Sequence, residues 1–533
     1  MKNSIKKLIA GIAATASIAS LCFVTACGGG GGDQSNGGNG GRTLRIEAVE
    51  LGYGVEWLKA IGKEWEKATG NKVDINPSIG TAGNDAIATK IEQKADRDIF
   101  IYRTSEYATR IYEGEITVKG QKYPNVFLDI TDVCTKALDG EDGATIDSKL
   151  NEDFKKIYKV NDKYYGLPWI EGVMGILRNV DVWEKFGFTD ADVPLTTDQL
   201  FDVCEQIKAK AATSQSLSSV KPFIYSSEDE YYTSFMGTWF MQYETDENIK
   251  NYFAGKDPNG NYSKDLFSYQ GHKEMLSVVE KLVKKTNGYQ HPESDGINFT
   301  DMQGYFLKGQ SVFCVNGAWL EIEMETNSGA KIDYIKTPVI SALANRLSFS
   351  AASDKDDKLA ELVKFVDANA SGYEGKPEWA TEKDVDEVRK ARGRNYNAQG
   401  SSHALVAASY SPNVDLIKSF IEYMYSDKGM DCYYRATNGA SLPLNLSKNG
   451  KYSDVELSDF QKEVNKIKKD EVVIFASTDK MYSIGGVNFK LFNGVSNYVN
   501  SLYSGELTAN DVLAKNREFM NQNWSRISGA LGI

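Results

Sequence analysis

The chain has 533 residues, of which 41% are hydrophobic and 25% are charged, and its formal net charge is −12 at pH 7. This length and composition suffice for at least two hydrophobic cores. The acidic excess argues against binding to nucleic acid and against electrostatic attraction to anionic lipid.

The N-terminus has the composition of a secretory signal. Lys2, Lys6 and Lys7 give a positively charged start, and an apolar run with few polar interruptions extends from 8 to 24. Small residues then precede Cys27, in a pattern that resembles the bacterial lipobox. The resemblance implies attachment of diacylglycerol to Cys27 and cleavage just before it. The apolar run is too short and too interrupted to favour a transmembrane helix.

The residues that follow Cys27 are predicted to form a tether. Residues 28–41 are almost wholly Gly, Asn, Ser and Gln, a composition typical of a flexible linker that spans about 20 Å. We therefore predict a signal peptide at 1–26 and a lipidated cysteine with its tether at 27–42. Two acyl chains would anchor the protein to membrane lipid on the extracytoplasmic face of the cell membrane.

Residues 43–101 are predicted to fold as β-α-β-α-β, because period-two apolar runs alternate with runs of helical spacing. Strands that alternate with helices indicate a parallel sheet with helices on its faces. Ligands bind at the carboxyl ends of such strands, so the two loops that follow strands here are candidates. Tyr53, which lies between two glycines, and Arg103 are the predicted ligand contacts in these loops.

The next segments resemble one protein family in order and spacing. The run Tyr164-Tyr-Gly-Leu-Pro-Trp-Ile-Glu171 resembles a Tyr-Gly-Leu-Pro segment at which the chain crosses between two lobes. The run at 175–188 resembles the "Tyr-Asn-Lys-Asp-Leu-Phe-x-x-x-Gly" segment of the same family. After it, 196–199 is predicted as a capping box at the start of a helix. The family is that of the family 1 extracellular solute-binding proteins, which serve ABC importers.

An aromatic cluster at 221–243 contains two further candidates. Aromatic clusters are more often core than binding site, but the resembling family often has cleft aromatics at this point. Tyr232 and Trp239 are therefore kept as predicted ligand contacts.

The stretch 306–319 carries a further resemblance. It begins as the end of a helix, passes a stop signal at Gly309, and continues as a short apolar strand that ends at Asn316-Gly317 before Trp319. It resembles the family's Phe-x-x-Gly-x-x-Ala-Met-x-x-x-Gly-x-Trp segment, with Phe313-Cys314 in place of Ala-Met. The resemblance implies that Trp319 stacks on a sugar ring in the cleft between two lobes.

The remainder of the chain also resembles the family, and the resemblance extends over residues 43–526 in total. A charged insertion at about 351–399 is longer than the family requires; it could cap the cleft or decorate a lobe, and we favour decoration. Four cysteines lie outside the signal and the lipobox and show no CxxC spacing, which does not favour zinc. Of these, Cys204 and Cys314 lie in apolar patterns and are predicted to be buried thiols.

The predicted fold is α/β: a two-lobed periplasmic-binding-protein-like fold in which each lobe is a mostly parallel sheet flanked by helices, with a hinged cleft between. Lobe 1 is predicted at 43–166 plus 316–404, and lobe 2 at 167–315 plus 405–533.

The resemblance implies a non-enzymatic binding protein, expected to be a monomer without a cofactor. It would capture a carbohydrate, expected to be an oligosaccharide, by hinge closure and deliver it to an ABC transporter permease. Sugars require aromatic platforms and a few placed polar groups. The predicted ligand contacts are Tyr53, Arg103, Trp169, Glu171, Tyr232, Trp239, Asn316, Trp319 and Glu321.

Two alternatives remain open. A secreted glycoside hydrolase would need two carboxylates facing each other across a bond. Glu321, Glu323 and Glu325 alternate, but no second acid is paired with them in the sequence, and no GxSxG, HExxH or Walker motif occurs. The same fold could also bind an anion or a metal ion, in which case charged groups rather than tryptophans should line the cleft.

Overall fold

The computed structural model describes residues 41–104, 107–226, 231–324, 329–397, 403–475 and 497–533. The predicted signal peptide, the lipidated Cys27 and the tether up to residue 40 lie outside the described residues. So do Glu325 and the last residues of the charged insertion.

The strands are β1 (Thr43–Glu50), β2 (Lys72–Ile79), β3 (Ile99–Arg103), β4 (Ile116–Val118), β5 (Gln121–Tyr123), β6 (Lys159–Val160), β7 (Lys163–Tyr164), β8 (Gly166–Pro168), β9 (Met174–Asn179), β10 (Lys221–Ile224), β11 (Ser311–Gly317), β12 (Ile332–Ile335), β13 (Arg394–Asn397), β14 (His403–Ala407) and β15 (Val472–Phe475).

The helices of the first half are α1 (Glu56–Thr69), α2 (Gly80–Glu92), α3 (Tyr107–Tyr112), α4 (Thr131–Thr135), α5 (Ile146–Lys149), α6 (Glu152–Tyr158), α7 (Val180–Lys185), α8 (Thr197–Thr213), α9 (Tyr231–Phe235), α10 (Gly237–Tyr243) and α11 (Asp246–Phe253). Those of the second half are α12 (Gln270–Val283), α13 (Phe299–Leu307), α14 (Leu320–Glu323), α15 (Lys355–Ala368), α16 (Glu382–Arg392), α17 (Val414–Met424), α18 (Asp427–Ala436), α19 (Asp459–Asp470), α20 (Tyr498–Ser504) and α21 (Ala509–Leu531).

The first sheet has the strand order β2-β1-β3-β14-β8. Strand β1 pairs in parallel with both β2 and β3, and the inward-facing Leu44, Ile46 and Ala48 are buried. Helix α1 ends at Gly70, whose φ of 73° is the left-handed conformation that glycine adopts without a steric penalty. The β-α-β-α-β prediction for 43–101 is confirmed.

The second sheet has the strand order β10-β11-β9-β12. Strand β11 is parallel to β10 but antiparallel to β9, and β12 is also antiparallel to β9. In the first sheet β14 is likewise antiparallel to β3 and β8. The α/β class is confirmed, but the sheets are more mixed than predicted, because strands that enter from the other lobe run against those already present.

The described elements place three passages of the chain between the two sheets. Strand β8 of the first sheet leads to β9 of the second through 169–173, and β13 beside the second sheet leads back to β14. Helix α18 packs on α1 of the first lobe, whereas α19, which follows it, packs on β12 of the second. Three crossing segments between two sheets form the arrangement of a two-lobed protein with a hinge.

These pairings bear on the predicted division of the chain. Strand β12 lies inside the range 316–404 assigned to lobe 1 but pairs with β9 of the second sheet. Helices α17 and α18 lie inside the range assigned to lobe 2 but pack on α1. Because a strand's lobe depends on its pairing partners, which lie far away in sequence, the lobe boundaries stay a prediction.

The charged insertion has two parts. Helices α15 and α16 pack against each other on the second lobe. Strand β13, which follows them, is buried beside the first crossing segment: the side-chain amide of Asn395 donates to the carbonyl of Met174 at 3.0 Å, and that of Asn397 donates to the carbonyl of Gly172. The helices therefore decorate a lobe, while the strand joins the hinge.

The four described cysteines, 134, 204, 314 and 432, are free and buried. This confirms the prediction that Cys204 and Cys314 are buried thiols. Within the described ranges, no helix combines the length and the apolar character needed to cross a bilayer.

Candidate ligand-binding cleft

A cleft lies where the carboxyl ends of β1 and β3 face the end of β11. It holds about 420 Å³ of empty space, counting the part that opens to solvent. Both sheets contribute to its walls, as expected for a ligand site at the ends of parallel strands. Its lining residues are Leu51, Gly52, Thr81, Arg103, Ile170, Tyr231, Phe299, Trp319, Glu323 and His403.

Trp319 is held in the cleft by three glycines. A Cβ added at Gly317 would lie 2.2 Å from the indole, and one added at Gly172 would lie 2.8 Å from it. Gly52 approaches from the first lobe, where an added Cβ would lie 3.7 Å from Trp319. Only 7% of Trp319 is exposed. Because the glycines have no side chains, their backbone approaches the ring closely and fixes its position.

Glu323 connects the two walls of the cleft. Its carboxylate accepts a hydrogen bond from the backbone N–H of Gly52 at 3.0 Å and another from the side-chain amide of Gln303 at 2.7 Å. Gly52 follows β1 in the first lobe, whereas Glu323 ends α14 in the second. Hydrogen bonds to an ionised acceptor are stronger than those between neutral groups. This contact therefore favours the closed arrangement of the lobes.

Arg103 and His403 form a cross-strand pair on the first-lobe wall. They lie directly opposite each other in the β3–β14 register, and both line the cleft. The side chain of Asn84 fixes the end of β3, because it accepts from the backbone N–H of Arg103 at 2.7 Å and donates to its carbonyl at 3.0 Å.

Three other predicted contacts lie close by but do not line this cleft. Glu171 lies on the first crossing segment, where it accepts from Ser441 and pairs with Lys468, each at 3.4 Å. Tyr53 is 2% exposed. Asn316 is fully buried, and its side-chain oxygen accepts from the backbone N–H of Gly317 at 2.7 Å.

Glu321 points away from the cleft. Its carboxylate accepts from the hydroxyl of Ser458 at 2.6 Å, and burial raises its pKa. The sequence pattern at 321–325 left open a strand or a helix end. The structure forms helix α14, on which residues two apart point about 200° from each other. Glu323 therefore reaches the cleft and Glu321 does not.

The structure places Trp169, Tyr232 and Trp239 in the cores of the lobes. Trp169 is 1% exposed and stacks on Trp57 at 5.8 Å between ring centres. Trp239 is fully buried and donates to the carbonyl of Pro338, and Tyr232 accepts from Gln290. Their predicted role as ligand contacts has no support in these positions, since aromatic side chains fill cores as readily as they line sites.

Among the ten described residues that line the cleft, sequence reasoning selected Arg103 and Trp319 and missed the others. Tyr231, the neighbour of a predicted residue on helix α9, lines the cleft in place of Tyr232. His403 could have been found only from its pairing with β3, which has no local signal in the sequence. Phe299 and Glu323 also line the cleft; a helical reading of 320–323 would have selected Glu323.

The side chains that line the cleft determine which ligands it can accept. An indole, a phenol, a guanidinium and an imidazole suit a ligand with apolar faces and hydroxyl groups. Among the described residues that line the cleft, Glu323 is the one carboxylate, whereas glycoside hydrolysis requires two. The described residues also contain no group of three or more His, Cys, Asp or Glu placed to hold a metal ion.

Residues 51–431, more than half of the chain, match the family model described as "Bacterial extracellular solute-binding protein". No curated protein sequence matches the chain.

Solved structures of binding proteins resemble the fold at low sequence identity. The binding protein RafE in complex with raffinose is 16% identical, with a TM-score of 0.56 over 90% of this chain and 99% of that one. A chitin oligosaccharide binding protein is 16% identical, with a TM-score of 0.57 over 90% and 98%. An ABC transporter solute-binding protein from Thermotoga lettingae, bound to α-D-tagatose, is 16% identical, with a TM-score of 0.58 over 90% and 99%.

Proposed function

The chain belongs to the bacterial extracellular solute-binding protein family, and on that basis we propose that it captures a carbohydrate, preferably an oligosaccharide, for an ABC importer. The two lobes close over the sugar, and the loaded protein delivers it to the permease. Similar folds in a complex with raffinose, in a chitin oligosaccharide binding protein and in a protein bound to tagatose support a sugar as the ligand.

The observation that carries the proposal is the position of Trp319. Its ring lies at the end of β11, against glycines from both lobes, in a cleft whose remaining polar groups come from both walls. An aromatic ring stacks on the C–H face of a sugar, and nearby polar groups hydrogen-bond to the sugar hydroxyls. A metal or anion binder would instead place charged groups in that position.

Closure requires the ligand to bind the closed form better than the open form. Trp319 and Glu323 come from the second lobe, and Arg103 and His403 from the first. A sugar in the cleft contacts all four only when the lobes are together. The ligand therefore adds its contacts to the hydrogen bond between Glu323 and Gly52.

The anchoring of the protein is proposed from its sequence. The lipobox ends at Cys27, and the predicted tether separates this cysteine from the folded unit that begins at Gly41. Cys27→Ser should release the protein from the membrane fraction into the medium. A Cys27→Ser protein that stays in the membrane fraction would contradict lipid anchoring at this residue.

The experiment that tests the function is a thermal-shift screen of the unit from Gly41 onward against mono- and oligosaccharides, followed by calorimetry. A sugar at 100 times its dissociation constant should stabilise the protein by about 2.7 kcal/mol. Trp319→Ala should abolish the shift. The matched control is Trp379→Ala, which removes an indole from the loop between α15 and α16 and should leave the shift unchanged.

The outcomes separate the alternatives. If only inorganic anions or metal ions shift the unfolding temperature, the fold assignment stands but the ligand is not a sugar. Release of reducing sugar from an oligosaccharide would establish a hydrolase. Binding of a sugar without turnover would establish the binding protein.

A further inference from the structure

Three buried tyrosine hydroxyls lie near one another outside the cleft described above. They belong to Tyr53 on the loop after β1, Tyr433 on α18 and Tyr334 on β12, and we call them the tyrosine cluster. The three residues are at most 7% exposed. None of their hydroxyl oxygens has a hydrogen-bond partner among the described residues. Buried hydroxyls in proteins are nearly always hydrogen-bonded, so three exceptions in one place need an explanation.

The three groups interact electrostatically. Burial raises the pKa of each one, and the next cause for both Tyr334 and Tyr433 is the interaction with the Tyr53 hydroxyl. The charge of Glu171 raises the pKa of Tyr53 and of Tyr433. Tyr53 and Tyr433 thus lie within electrostatic range of the carboxylate of Glu171, which is on the first crossing segment.

Aromatic faces accompany the hydroxyls. The Tyr433 ring lies 5.0 Å from Trp57, and the Tyr334 ring stacks on Phe460 at 5.1 Å. Gly175 on β9 makes room for Tyr334, since an added Cβ there would lie 2.9 Å from its ring. Hydroxyls, a carboxylate and apolar ring faces together match an uncharged polyhydroxylated ligand.

The cluster adjoins the cleft through the backbone next to Trp319. Gly52 and Gly172 both lie against the Trp319 ring. Their chain neighbours Tyr53 and Glu171 belong to the cluster and do not line the cleft. A ligand that contacts both Trp319 and the cluster must therefore extend beyond the residues that line the cleft.

Both lobes supply the cluster. Tyr53 and Tyr433 are held by the first lobe, and Tyr334 is held by β12 in the second sheet. A ligand hydroxyl that satisfies all three is fully bonded only when the lobes are closed, which is the differential contact that closure requires.

We propose that Tyr53, Tyr334 and Tyr433, together with Glu171, form a subsite that receives a sugar unit beyond the one that contacts Trp319. This subsite makes the protein select chains of two or more units. The inference rests on the proposed function and adds to it the residues that make binding depend on the number of sugar units in the ligand.

The test uses Tyr→Phe substitutions at the three positions, because phenylalanine keeps the ring and removes only the hydroxyl. Calorimetry compares raffinose, chitotriose and xylotriose with galactose, N-acetylglucosamine and xylose. Each substitution should weaken binding of the oligosaccharide that the wild-type protein prefers by about threefold to tenfold. Binding of the matching monosaccharide should not change. Tyr269→Phe, which removes a buried hydroxyl that donates to the carbonyl of Lys256 in the second lobe, is the control and should leave both affinities unchanged.

A second readout separates binding from a structural role. Without sugar, the three Phe variants should unfold at the wild-type temperature or above it, because each loses a buried hydroxyl that has no partner among the described residues. A lower unfolding temperature together with unchanged affinity would overturn the subsite and indicate a structural role. If the substitutions weaken binding of monosaccharides and oligosaccharides equally, the subsite does not select ligands by their length. If all three variants bind the oligosaccharide as tightly as the wild-type protein does, the subsite is wrong but the proposed function stands. If the wild-type protein binds no sugar, the proposed function is wrong as well.

Discussion

The carboxylate of Glu323 accepts a hydrogen bond of 3.0 Å from the backbone N–H of Gly52, and this contact joins the two lobes directly. Glu323, Gly52 and Trp319 line the same cleft. The protein therefore has an interaction of its own that favours closure, to which a ligand adds further contacts.

Replacing Glu323 should shift the protein toward its open form. Glu323→Gln keeps an acceptor oxygen but loses the charge, which should weaken the contact by about 1 to 2 kcal/mol. Small-angle scattering without sugar should report a larger radius of gyration than for the wild-type protein. Glu361→Gln, an exposed carboxylate on α15, is the control. An unchanged radius in Glu323→Gln would mean that the hydrogen bond does not determine the closed population.

Gly317→Ala should displace Trp319 while the fold is retained. The added methyl group would lie 2.2 Å from the indole, so the ring must move out of its position. We expect sugar affinity to fall at least tenfold and circular dichroism to stay the same. Gly296→Ala provides the comparison, because an added Cβ there meets nothing within 4 Å. Equal affinity of the Gly317→Ala variant and the wild-type protein would show that sugar binding does not depend on this ring.

The buried His272 should make the protein less stable in acid. Phe240, Tyr252 and Tyr269 surround its ring, and burial lowers its pKa from 6.5 to about 3. The unfolded chain binds a proton below about pH 6.5 that the folded chain does not bind until about pH 3. Stability from this residue is therefore complete above pH 6.5 and falls by about 1.4 kcal/mol for each pH unit below it.

Urea unfolding of the wild-type protein and of His272→Phe at several pH values between 4 and 7 measures this effect. Other groups also titrate in this range, so the relevant quantity is the difference between the two proteins. The slope of unfolding free energy against pH should be smaller in the variant by the equivalent of about one proton. Parallel slopes would show that His272 titrates normally in the folded protein.

The buried Lys149 should be essential for stability. It is 2% exposed, pairs with Glu141 at 2.6 Å and Asp427 at 2.7 Å, and donates to the carbonyl of Tyr425. Lys149→Ala leaves two carboxylates without their cation and should cost about 3 to 5 kcal/mol in denaturant unfolding. The exposed pair of Lys156 and Asp153 offers the comparison, since Lys156→Ala should cost less than about 1 kcal/mol. Similar losses in the two variants would contradict this assignment.

The order of elements was predictable where the signal is local. The first three strands and two helices follow from alternating apolar residues and from Gly70 at the end of α1, which forms the left-handed cap. Thr196 caps α8 by accepting from the backbone N–H of Gln199, but the Gln199 side chain accepts from Leu195, so the reciprocal bond of a capping box is not made to Thr196. The position of β14 between β3 and β8 has no local signal, because it depends on pairing across hundreds of residues.

The binding site was predictable only in part, for a related reason. Trp319, Trp169 and Trp239 all lie in segments that resemble the family, but Trp169 and Trp239 lie in the cores. Residue type does not say whether an aromatic ring faces a core or a cleft. Tyr334 and Tyr433 carry no local signal, because they lie far from Tyr53 along the chain and approach it only in the folded protein.

The place of β14 in the first sheet has a consequence for the newly made chain. Residues 403–407 supply the strand between β3 and β8, so that sheet stays incomplete until more than three quarters of the polypeptide has been synthesised. Before then β3 and β8 each present an unpaired edge, a template for wrong association between chains. Closing so long a loop also slows folding. A fragment that ends before residue 403 should therefore aggregate instead of yielding a separate lobe, and translation that stops early should be costly to the cell.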